Sequence, residues 1–284
     1  MRTTVHGIDI EYEVFGTGRP LLLIMGLGMQ MVAWDEEFIE LLVAEGHQVA
    51  RFDNRDIGLS THVDGPADLM AALGGDASAV PYTLEDMAAD TAGLMDTLGW
   101  ASAHVVGVSM GGMIAQTLAI TAPERVRSLT SIMSTPATAL APATDAAMAA
   151  LLGPPARNRD EAIQRALEVF QVIGSPGYPS EPDRIARVAG VSYDRCYDPK
   201  GSTRQLIAIT CAPDRTEGLR ELNVPALVIH GDEDPLITPP GGVATADAIP
   251  GAKLLTYPGM GHDLPRPLWP EIVAAITELT GRVG

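Results

Sequence analysis

Residues 107–111 read Gly-Val-Ser-Met-Gly, with a glycine two places to either side of Ser109. A serine hydroxyl is a poor nucleophile at neutral pH unless a base takes its proton. Small neighbours at that spacing suit a sharp strand-to-helix turn, where backbones must approach closely. Residues 103–108 read as a buried strand leading in, and an amphipathic helix is expected from Gly111, its positive end aimed at the serine.

In this G-x-S-x-G setting an acid and then a histidine follow the serine in chain order. Of the six histidines (His6, His47, His62, His104, His230 and His262) only the last two follow Ser109. His230 ends a strand and leaves no strand-terminal acid between itself and the serine. His262 lies in the loop Pro258-Gly259-Met260-Gly261-His262-Asp263 after a strand at 253–257, and it is the expected general base. The acid is expected after the strand at 225–230, in Gly231-Asp232-Glu233-Asp234-Pro235. Asp234, just before Pro235, is assigned as the residue that orients the histidine. Asp232 is the runner-up, because a shifted turn would present it instead.

Acyl transfer also needs amide donors for a developing oxyanion. The N–H of Met110 is one. Leu27, in the loop Gly26-Leu27-Gly28-Met29, is the expected source of the other. Met25, Gly26, Met29 and Trp34, with Leu27 and Met31 beside them, are expected to wall an apolar substrate pocket. The same side chains serve equally as plain core, and the sequence leaves both readings open.

The elements that position these groups follow from hydrophobic period. Residues 10–14 alternate like a half-buried strand, and 21–25, 49–52 and 128–133 read as buried strands. Residues 36–44 and 84–98 carry helical spacing. Thr83 and Asp86 form a capping box before the second of these, and Gly99 stops it. Strands alternating with helices imply a parallel sheet covered on both faces. From Pro136 to about Leu222 only short helices are expected, at 143–152, 160–173, 183–194 and 203–210. The β pattern resumes near 225, and a final helix is expected at 270–279. The chain therefore divides into a core of residues 1–135 and 223–284 and a helical insertion of 136–222.

With 284 residues, 46% of them hydrophobic, the chain is long enough for one large core. A net charge of −17 argues against nucleic acid and anionic membrane surfaces as partners. No run approaches the ~18 apolar residues of a membrane span, and residues 1–6 lack a signal-peptide core; a cytoplasmic protein, monomer or homodimer, is expected. Cys196 and Cys211 lie in no ligand spacing and read as structural thiols, so metal or redox use is not expected, and acyl transfer through a serine needs no cofactor.

Four stretches together resemble the α/β-hydrolase-fold esterases over nearly the whole chain. They are Leu22-Leu23-Ile24-Met25-Gly26-Leu27-Gly28, the run from Arg51 through Asp53-Asn54-Arg55-Asp56 to Ser60, the Ser109 turn, and the Asp234/His262 pair. Met25 stands where many members have histidine. In that detail and in Asn-Arg-Asp the chain is similar to the aclacinomycin methylesterase branch. The resemblance implies an α/β fold: an eight-stranded, mostly parallel sheet flanked by helices, with a helical cap after strand six. It implies a carboxylic-ester hydrolase working through an acyl-enzyme on apolar small-molecule esters. It also implies a structural role for Arg55, bracing the loop beside the oxyanion strand. A C–C bond hydrolase, a lactonase, a cofactor-free perhydrolase or a hydrolase-like ligand receptor remain open on the same residues.

Overall fold

The computed structural model describes residues 1–283. Its strands are β1 (Arg2–Val5), β2 (Ile8–Phe15), β3 (Arg19–Ile24), β4 (His47–Phe52), β5 (Ala103–Val108), β6 (Val126–Ile132), β7 (Ala226–Gly231) and β8 (Lys253–Tyr257). They form an eight-stranded sheet in the order β1-β2-β4-β3-β5-β6-β7-β8. From β4 through β8 neighbouring strands run parallel, while β2 meets both β1 and β4 antiparallel. The helices are α1 (Glu36–Ala44), α2 (Leu69–Leu73), α3 (Leu84–Thr97), α4 (Met110–Thr121), α5 (Asp145–Leu151), α6 (Arg159–Ile173), α7 (Pro182–Arg195), α8 (Pro199–Thr210), α9 (Thr216–Arg220), α10 (Pro240–Ala248) and α11 (Trp269–Gly281).

The unbroken apolar run of β3 has a simple cause. Leu22 and Ile24 join a core cluster with residues of α3, α4 and α10, while Leu21 and Leu23 join a second cluster with α1 and α11. Alternate side chains point to opposite faces, and both faces are covered. Each leucine so buried contributes roughly 1.5–3 kcal/mol by leaving water.

Register brings the site together. Ile24 lies opposite Gly107, Val108 opposite Ile132, and Ile132 opposite Ile229. The loops after β3, β5 and β7 therefore leave one edge of the sheet side by side, and β8 ends beside Gly231.

Helix boundaries follow capping chemistry. The Thr83/Asp86 capping box is formed, and Gly99 adopts φ 70° just past α3. Three of the boundaries that differ from the sequence reading have a plain cause. The serine turn is one residue tighter, because α4 begins at Met110. Helices α7 and α8 begin at Pro182 and Pro199, since proline is favoured in a first turn and Asp198 caps the second through Lys200 N–H. Strand β1, with only Val5 buried, and the short α2 and α9 carry no period long enough to read. Between β6 and β7 the chain forms α5 to α9; α9 packs on α4 and α10.

Candidate active site

β5 ends at Val108 and α4 begins at Met110, so Ser109 alone makes the turn. Its φ of 55° and ψ of −121° are a strained conformation for a residue with a side chain, costing about 1–3 kcal/mol. The flanking glycines permit it. A Cβ at Gly107 would overlap the Gly111 carbonyl, and a Cβ at Gly111 would overlap that of Ile24. Although Ser109 is the N-cap of α4, its hydroxyl caps nothing. It lies 3.0 Å from His262 Nε2.

Behind the imidazole, His262 Nδ1 stands 2.7 Å from Asp234 Oδ2. The other carboxylate oxygen, Oδ1, accepts the N–H groups of Leu236 and Ile237 at 2.9 and 3.0 Å. Fixed in this way, the acid makes Nδ1 the donor and leaves Nε2 to accept the serine proton. Asp232 is spent elsewhere: its Oδ1 accepts the Gly259 N–H at 2.7 Å in an exposed turn. His230 is buried behind the acid, with Nε2 2.8 Å from the Ile237 carbonyl and 3.6 Å from Asp234 Oδ2. Burial lowers its pKa, against the Ile237 carbonyl and Asp234, and so favours the neutral imidazole.

The histidine loop rests on the helical insertion. His262 N–H donates to the Ile173 carbonyl at 2.7 Å, and Gly261 N–H donates to Ser175 Oγ at 2.9 Å. The Ser175 hydroxyl in turn donates to Asp263. Burial pushes the Asp263 carboxyl upward, against the Ser175 hydrogen bond.

The loop after β3 passes close to the serine: a Cβ at Gly26 would sit 3.2 Å from Ser109 Cβ. Among the described residues, the amides of Leu27 and Met110 donate to no acceptor in the chain. This loop is braced by Asp53, whose Oδ1 accepts Met31 N–H at 2.7 Å, and by Asn54, whose Nδ2 donates to the Met25 carbonyl at 3.1 Å. Arg55 does not brace it with its side chain, as the sequence reading expected. Its guanidinium bonds Asp90 on α3 at 2.6 and 2.8 Å and lies over Tyr82.

A cavity of about 1490 Å³ opens onto Ser109 and His262. Met25, Gly26, Leu27, Met29 and Trp34 line it from the core, and Met148, Val169, Phe170, Val188 and Leu206 from the insertion. Met31 belongs to the interior instead, at 2% exposure.

At the seam between core and insertion, Asp56, His62 and Asp198 approach one another closely enough to suggest metal ligands. Ion pairs already occupy them. Arg204 Nη2 and Nε bond the two Asp56 oxygens, each at 2.8 Å, and His62 Nδ1 lies 2.8 Å from Asp198. Burial opposes charge on His62, but the Gly58 carbonyl and Asp198 outweigh it and raise its pKa.

Sequence reasoning missed Ile173, Ser175, His62, Asp198 and Arg204. They act through contacts set by the fold, and no local motif marks them; Asp56, their partner at the seam, lies in the Asp53-Asn54-Arg55-Asp56 run.

Residues 19–172 match the family described as alpha/beta hydrolase fold, and residues 194–267 match one described as TAP-like protein. The chain is 31% identical over 281 residues to rhodomycin D methylesterase DnrP of Streptomyces peucetius, spanning 90% of this chain and 89% of the relative. It is 27% identical to the non-heme chloroperoxidase CPO-A1 of Kitasatospora aureofaciens, over 92% of this chain and 91% of that one. The solved enol-lactonase of Burkholderia xenovorans LB400 superposes with a TM-score of 0.75 at 25% identity, covering 100% of this chain and 99% of its own.

Proposed function

The chain belongs to the alpha/beta hydrolase fold family and is a hydrolase of the esterase type, and from that premise we propose that it cleaves carboxylic esters with Ser109 as nucleophile, His262 as general base and Asp234 as orienter. One observation carries the reading: the serine hydroxyl, imidazole and carboxylate stand in series at 3.0 and 2.7 Å.

Ser109 Oγ attacks the ester carbonyl carbon as its proton passes to His262 Nε2. The carbonyl oxygen, now negative, is held by the amides of Leu27 and Met110. Collapse of the intermediate expels the alcohol, which takes the proton back from His262. Water then attacks the acyl-enzyme by the same sequence, releasing the acid and free Ser109. Asp234 holds the imidazole tautomer and stabilises its cation without taking the proton.

The cavity exceeds the usual 300–1,000 Å³ of small-molecule pockets, and methionine and aliphatic walls suit a bulky apolar small-molecule ester. Residues 136–222 act as a cap on a core of 1–135 and 223–284; the walls contributed by α5–α8 support this division. The free thiols Cys196 and Cys211 fit a protein working in the reducing cytoplasm.

Ser109→Ala should abolish turnover of p-nitrophenyl butyrate while leaving the circular dichroism spectrum unchanged; retained turnover would remove the assignment. The chloroperoxidase relative makes perhydrolysis the second reading to assay. Peroxide-dependent halogenation faster than ester cleavage would favour it over the esterase reading.

A further inference from the structure

Gln205, on α8 of the insertion, is fully buried and reaches the loop after β3. Its Oε1 accepts the Gly28 N–H at 2.9 Å, and its Nε2 donates to the Arg55 carbonyl at 2.8 Å. Both ends of the amide are thus committed to backbone. A side chain at this place must offer one acceptor and one donor in fixed order. The Arg204 pair with Asp56 fixes the adjacent turn of α8 to the same core segment.

Leu27 lies between two fixed points. On one side Gly26 packs against Ser109; on the other Gly28, at φ 67°, is held by Gln205. The Gly28 amide is spent on that bond. Among the described residues neither the Gly26 nor the Leu27 amide donates to an acceptor in the chain, and the Leu27 amide is the one directly beside the Gly28 bond.

We propose that Gln205 is a positioning residue for ester cleavage: by holding Gly28 it keeps the Leu27 N–H turned toward the carbonyl oxygen that Ser109 attacks. The proposal rests on the esterase reading above. Gln205 meets no reacting atom. Its influence falls on the state in which that oxygen carries charge, more than on substrate binding. The oxyanion site is then complete only while α8 is docked, so a residue of the insertion sets the rate of chemistry on the core.

The test compares wild type, Gln205→Leu, Gln205→Glu and Arg187→Gln on p-nitrophenyl butyrate, with inhibition by butylboronic acid, which forms a tetrahedral serine adduct. Arg187 pairs with Asp35 across the exposed seam at 3.3 Å and serves as the control for loosening the insertion. Gln205→Leu should lower kcat about 10- to 100-fold, the scale of a misplaced catalytic group, with KM within about 3-fold. Boronate affinity should fall in parallel with kcat/KM. Gln205→Glu should recover part of kcat as pH falls, because a protonated glutamate again offers one acceptor and one donor. Arg187→Gln should keep wild-type kcat. An unchanged kcat in folded Gln205→Leu, or a change in KM alone with boronate affinity intact, would overturn the proposal. If Gln205→Leu does not fold, a flat relative pH profile for Gln205→Glu overturns it equally. If wild type and Ser109→Ala turn over ester alike, the esterase reading fails first, and this inference with it.

Discussion

At the scale of single residues, Ser109 is held in a backbone conformation it would not choose. The surrounding bonds hold it there: its N–H donates to the Ile132 carbonyl at 2.9 Å, and its own carbonyl accepts Gly112 N–H and the Ser134 hydroxyl, each at 2.9 Å. The strain detaches the hydroxyl from helix capping and leaves it for the imidazole. The two nearby acids differ just as clearly in what they touch. Asp234→Asn should lower kcat by about 10³- to 10⁴-fold, because an amide cannot enforce the same histidine tautomer. Asp232→Asn, in an exposed turn, should change kcat less than about 10-fold. Steady-state kinetics on both variants decides, and the reverse order would move the orienting role to Asp232.

At the scale of elements, the site depends on how the insertion grips two core loops. Ser175 bonds the Gly261 amide beside His262, and Gln205 bonds Gly28 in the loop after β3. Ser175→Ala should cost about 1–3 kcal/mol of stability, since it leaves the Gly261 amide without a partner and removes the hydroxyl that bonds Asp263, and should lower kcat several-fold. Urea denaturation and kinetics together test this; unchanged values in both would deny the loop its anchor. This grip was the least legible part of the sequence. Ser175 is 86 residues from Gly261, and Gln205 is 177 from Gly28, so no window of residues joins them. The repeating elements were legible, because the two-faced burial of β3 writes an unbroken apolar run and α3 writes a stripe closed by Thr83 and Gly99. The Ser109 turn was legible for a different reason: steric overlap at Gly107 and Gly111 forces those residue types. Arg55 was misread because the resemblance placed its motif behind the oxyanion strand, whereas Asp90 on α3 supplied the carboxylate.

At the scale of the whole molecule, the sheet separates two kinds of buried histidine. His262 and His230 sit at the carboxyl edge. His47 and His104 meet edge to face elsewhere in the sheet, with ring centroids 6.3 Å apart. His104 Nδ1 bonds Ser128 at 2.8 Å, while Nε2 is buried without a partner among the described residues. Burial, then His47, Arg127 and Arg19, pushes the His104 pKa down to about 4 from 6.5. Between those values the unfolded chain binds a proton that the folded chain refuses, so stability falls as pH drops from about 7 to about 4. The contribution is of the order of 2–3 kcal/mol. Urea midpoints of His104→Gln should fall less steeply than those of wild type over that range, and parallel curves would contradict the assignment.

The role of Ser109 as nucleophile is tested most directly by mass-spectrometric mapping of the residue labelled by a p-nitrophenyl alkylphosphonate. Stoichiometric label on Ser109, accompanied by complete loss of esterase activity and suppressed in His262→Ala, is the predicted result. Label on another residue, or full inactivation with Ser109 unmodified, would contradict it.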